Sequence, residues 1–126
     1  MLATVLSSAM LGIDAYIVKV EVDVAGGMPY FSTVGLPDSA IKESRDRVTA
    51  AIKNSGFYFP PTRITANLAP ADIRKAGSAF DLPIAIGVMA ATNQVKLESL
   101  ENTMILGELA LDGSIRGIPG LSLIHI

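Results

Sequence analysis

Between residues 15 and 24 the chain reads AYIVKVEVDV, and this stretch constrains the fold more than any other. Tyr16, Val18, Val20, Val22 and Val24 alternate with Ile17, Lys19, Glu21 and Asp23. A period of two, rich in β-branched side chains, predicts a strand with one buried and one wetter face. Such a strand commits the chain to a sheet covered on one side. Residues 3–8 predict a partner strand, with the turn at residues 10–14 around Gly12. Ala25-Gly26-Gly27 can take positive φ and turn the chain back, and residues 29–34 supply a third strand. The opening is expected to be an antiparallel meander.

Helix signals follow. Pro37 and Asp38 suit a first helical turn, and an Asp oxygen can satisfy amide donors left without partners there. Ala40, Ile41, Ser44, Val48, Ala51, Ile52 and Ser55 then fall on one small or apolar stripe. Glu43 and Arg47 stand four apart in the favourable order. Gly56 is placed to end the helix. Residues 63–68 (RITANL) alternate again, with Ile64, Ala66 and Leu68 inward, and residues 69–79 read as a polar loop. Residues 80–91 (FDLPIAIGVMAA) are apolar on every side, long enough for a buried helix, with Pro83 in its first turn and Gly87 permitting close packing. Residues 103–109 predict a short strand, Asp112-Gly113 a hairpin turn and residues 114–118 the returning strand. The order is β-β-β-α-β-α-β-β, an α+β layer with both helices on one face of a mixed sheet.

Composition narrows the function. Half of the 126 residues are apolar and 17% are charged, so a packed core is expected. A net charge of -2 excludes bulk electrostatic attraction to nucleic acid or anionic lipid, though not a local basic patch. With no cysteine there is neither a disulfide framework nor a thiolate metal site. No apolar run approaches the roughly 20 residues that span a bilayer. The start lacks the basic region of a signal peptide, so a cytoplasmic protein without membrane contact is expected. Residues 121–126 (LSLIHI) break with what precedes them and read as the translation of a sequencing-library adapter, against the alternative of an ordinary apolar strand end. Residues 1–120 are read as one domain.

Four segments carry a family resemblance: SSAMLGIDAYIVKVEVDV (7–24), STVGLPDSAIKESRDRVTAAIKNSGF (32–57), RITANLAPADIRKAGSAFDLPIAIGVMAA (63–91) and GELALDGSIRGIPG (107–120). Together they resemble the amino-terminal domain of ComM/YifB-type, magnesium-chelatase-like AAA+ ATPases. The resemblance implies a ribosomal protein S5 domain 2-like fold, shared with Lon-type protease domains. It implies that an AAA+ module binding ATP and Mg2+ follows, and that subunits assemble in a homo-oligomeric, hexameric ring. It also implies a role in DNA recombination, as branch migration during natural transformation. No cofactor is expected in this domain itself, and fold alone transfers none of these functions.

Few side chains offer chemistry of their own. A phosphate-binding P-loop needs a Gly-Lys step, and none of Lys19, Lys42, Lys53, Lys75 or Lys96 follows a glycine. A Lon-like peptidase uses a serine activated by a lysine. The resemblance places that serine near Asp81, a carboxylate suited to capping a helix but not to this nucleophilic chemistry. Ser78 stands three residues earlier with Lys75 nearby, out of frame, and the lysine's place would fall beyond Gly117. No catalytic residue is assigned. The single histidine, His125, lies in the suspect tail, and Asp72 with Asp81, or Glu98 with Glu101, lack further ligands at metal-binding spacing. Contact with DNA, a neighbouring subunit or the ATPase module rests on Lys42, Arg45 and Arg47 of the first helix and on Arg74 and Lys75 of the polar loop. Against that stands a mixed, soluble helix face with Glu43 and Asp46 interleaved. A nucleic-acid-binding module of S5-like fold and an active peptidase remain the alternatives.

Overall fold

The computed structural model describes residues 1–11, 13–70 and 78–116, with the side chains of Met10 and Leu11 outside the description. Two long strands open the chain, β1 (Leu2–Leu11) and β2 (Asp14–Ala25), paired antiparallel from Leu2 opposite Asp23 to Leu11 opposite Asp14. The connection is shorter than the turn expected over residues 10–14, since Met10, Leu11 and Asp14 belong to the strands, and Gly12 lies outside the described residues. Val18, Val20 and Val22 are wholly buried, while Ile17 on the opposite face is 59% exposed. The alternation read from the sequence therefore describes the strand.

The expected meander is not formed. β3 (Tyr30–Val34) and β4 (Arg63–Ala69) pair parallel, and β4 pairs antiparallel with β2, giving the order β1-β2-β4-β3. The glycines at 26 and 27 do reverse the chain, but they carry it past one strand's place rather than into the neighbouring one. Residues 26–29 can do this because the crossing is only about 9.6 Å, two interstrand spacings, and each residue reaches up to about 3.3 Å. A parallel neighbour requires a crossover, and α1 (Asp38–Asn54) provides it.

α1 begins behind Pro37 with no side-chain cap, so Asp38 does not play the capping role expected of it. Its buried residues are Ser44, Val48, Ala51 and Ile52, the centre of the predicted stripe. The Gly56 amide bonds to Lys53 O and the Phe57 amide to Ile52 O, the paired closure that satisfies the last carbonyls. α2 (Asp81–Ala91) follows a 3-10 turn at Ser78–Phe80 and is buried almost all round. It lies across β1 and β2, with α1 against it. A Cβ at Gly87 would collide with Val22 Cγ2, so only glycine lets helix and sheet approach this closely. α2 ends with the same closure as α1, the Asn93 amide on Ala90 O and that of Gln94 on Met89 O. Asn93 takes the left-handed conformation at φ 61.

The strand expected over 103–109 dissolves into an isolated parallel bridge between Leu6 and Met104 and the two-residue β5 (Glu108–Leu109). The Ile105 amide donates to Leu6 O, so this segment borders β1 without running along it. β6 (Ile115–Arg116) pairs antiparallel with β5 across the Asp112-Gly113 turn. It is shorter than the expected 114–118, of which 117 and 118 lie outside the described residues. Gly113 has φ +91, and the Ser114 amide and hydroxyl donate to Asp112. The whole is α+β: a mixed four-stranded sheet, one face packed under two helices, and a small second sheet beside them. Among the described residues no helix is long and apolar enough to cross a membrane.

Candidate functional site

The entrance of α2 gathers the polar groups that an apolar core has to satisfy. Asp81 is the first residue of α2 and has no exposed surface. Ser44 Oγ donates to its Oδ1 at 2.8 Å, Arg47 Nε to Oδ2 at 2.5 Å and Arg47 Nη2 to Oδ1 at 3.3 Å. One carboxylate thereby joins α2 to α1. Asp81 makes no capping bond to its own helix, contrary to the role expected of a carboxylate there.

Desolvation pushes the Asp81 carboxyl above the ordinary carboxylate range, against the pull of Arg47, Ser44 and the Leu109 backbone. The hydrogen bond to Asp81 in turn raises the Arg47 guanidinium, which stays charged. Burial outweighing attraction is the usual balance for an ion pair taken out of water. Arg47 also faces Glu43 at 3.8 Å, the i,i+4 pair expected from sequence.

Ser78 lies beside this cluster in the turn before α2. Its hydroxyl donates to Glu108 Oε1 at 2.8 Å. The partner is a carboxylate on β5, where a serine-lysine mechanism would need an amine. Lys75 and Asp72 lie outside the described residues, as do Arg74 and His125.

The basic residues of α1 are already engaged within the chain. Lys42 pairs with Asp46 at 3.0 Å on the exposed surface. Arg45 donates to Phe31 O on the edge strand β3 at 3.2 Å. Arg47 turns inward to Asp81. The three therefore do not converge on one outward patch. Among the described residues no group of three or more His, Asp or Glu side chains could hold a metal ion.

Sequence reasoning assigned Arg47 to the surface and passed over Glu108. One signal for the cluster was present. A serine in the buried stripe and an aspartate opening an apolar helix each demand a partner when buried. Arg47, three residues after Ser44, shares its side of α1. No comparable signal marks Glu108, whose role depends on where β5 returns.

With this geometry in view, comparison with known proteins is specific. The model for subunit ChlI of Mg-chelatase matches residues 20–126. YifB of Salmonella typhimurium is 49% identical over 119 residues, covering 94% of this chain. The competence protein ComM of Haemophilus influenzae is 48% identical over 120 residues, covering 95%. An uncharacterized protein of Mycobacterium tuberculosis is 46% identical over 115 residues, covering 91%. The chain spans about a quarter of the length of these relatives (24%, 24% and 23%). It belongs to the Mg-chelatase subunit ChlI family, with YifB and ComM among its relatives.

Proposed function

We propose that this domain is a non-catalytic, regulatory or assembly part of a Mg-chelatase-like AAA+ ATPase that processes DNA. ATP and Mg2+ would be bound by a module beyond Gly120, and the domain would take its place in a homo-oligomeric ring, with Arg74 and Lys75 offered to DNA or to a neighbouring subunit. The name of the ComM relative, a competence protein, favours DNA taken up during transformation as the substrate. The observation that carries this reading is Asp81. At the entrance of α2, where a hydrolytic relative would present a hydroxyl, stands a buried carboxylate fully engaged by Ser44 and Arg47. A group held by an ion pair and several hydrogen bonds is built for stability, and it is not a nucleophile for acyl transfer.

The test is a fluorophosphonate probe on the 126-residue chain and on the full-length protein, with ATP hydrolysis followed in parallel. Hydrolysis of ATP by the full-length protein alone, with Ser78 unlabelled in both, is expected. Stoichiometric labelling of Ser78 would overturn the reading in favour of a peptidase.

A further inference from the structure

The second feature of the molecule lies on the far side of α2 from the sheet. An open apolar cavity of about 260 Å3 sits between the end of α1, one flank of α2 and the β5–β6 hairpin. Its floor is the domain's own core: Ile52, Ala85, Met89 and Leu109 are each less than 10% exposed. Among the described residues its rim is apolar and uncovered. Phe57 is 47% exposed and Ile115 is 62% exposed. Apolar surface that continues a core out to solvent is costly to leave wet and marks a place where something packs.

We propose that this groove is the seat of the protein's own chain beyond Gly120, folded back so that apolar side chains lie against Phe57, Ile115 and Leu109. Three observations choose this occupant over a second copy or a separate partner. The relatives run about four times the matched length, so chain is available. The last described strand, β6, forms the rim through Ile115 itself, which leaves the following residues a short tether and a high effective concentration at the groove. The floor belongs to the domain's core rather than to an independent surface patch, as expected of a site completed during folding. The hairpin is held in place to receive such a segment, because Asn54 Nδ2 donates to Leu111 O at 2.7 Å and pins it to the end of α1.

Residues 1–126 hold no cysteine, so a thiol introduced there is read by its own peptide, apart from any thiol elsewhere in the protein. Phe57→Cys, Ile115→Cys and Ile17→Cys are placed separately in the full-length protein. N-ethylmaleimide labelling is then mapped by peptide mass. Ile17, 59% exposed on the outer sheet face, is the reference. The two rim thiols are expected to label at least tenfold more slowly than the reference, and to keep that protection after dilution to the monomer. Equal rates at the three sites would overturn the proposal. Protection lost on dilution would also overturn it, because another subunit would then be the cover. The two rim positions are independent, so a folding defect in one variant leaves the other to decide.

Discussion

Asp81 shows how a single buried charge is made tolerable. It carries no exposed surface, yet Ser44 and both ends of the Arg47 guanidinium reach it. Removing one member of such a pair strands the other, so Asp81→Ala is predicted to cost about 3–5 kcal/mol of unfolding free energy in urea titrations. The pH dependence has a definite sign. Burial raises the folded carboxyl above its unfolded value, so the folded state binds the proton more tightly. The stability linked to it is complete below the ordinary carboxylate range and is lost as pH rises through the folded value. Thermal melts from pH 4 upward should therefore show the advantage of the natural protein over Asp81→Asn shrinking with rising pH. A growing advantage would mean that the carboxylate is favoured instead. Gly87 is another residue that tolerates no larger side chain. Gly87→Ala drives a methyl group into Val22 and is predicted to lose about 1–3 kcal/mol, measured the same way.

Secondary structure reflects local chemistry where that chemistry is sufficient. α1 and α2 both end in the same paired closure, one on Gly56 and one on Asn93. Asn93→Gly is predicted to preserve or slightly raise the melting temperature. Asn93→Val, forced into a left-handed backbone, should cost about 1–2 kcal/mol. The period-two strands and both helices were legible because burial on one face, or on every face, writes itself into the order of residues. Ile64, Ala66 and Leu68 point inward as their alternation requires. Strand neighbours were not legible. The glycines after β2 signal a reversal, but nothing in residues 26–29 says that β4, some forty residues later, will occupy the adjoining place. The stretch 103–109 misled for a related reason. Its apolar residues are satisfied by packing, by one bridge to Leu6 and by a ladder only two residues long at β5, without a continuous strand. The polar cluster was half legible: Ser44 and Asp81 announced a need for partners, while Arg47 read as a surface charge because its sequence neighbours are charged.

At the scale of the whole molecule, one face of the sheet is packed under helices and the other carries exposed residues such as Ile17. The sheet and helices enclose a core around Val20, Ile64 and Val88. Among the described residues the groove beyond α2 stays open, Lys42 pairs with Asp46 on the exposed surface, and Arg45 and Arg47 bond to Phe31 O and Asp81. The chain spans about a quarter of the length of these relatives. In this account the entrance of α2 is a structural clasp, in which Asp81 ties α2 to Ser44 and Arg47 of α1. The most direct test is a double-mutant cycle in urea with Asp81→Ala, Arg47→Ala and the two combined. The account predicts a coupling energy of about 2 kcal/mol, with the double variant far more stable than the sum of the single losses implies. Additivity to within about 0.5 kcal/mol would contradict it, because Asp81 and Arg47 would then contribute independently and no clasp would exist.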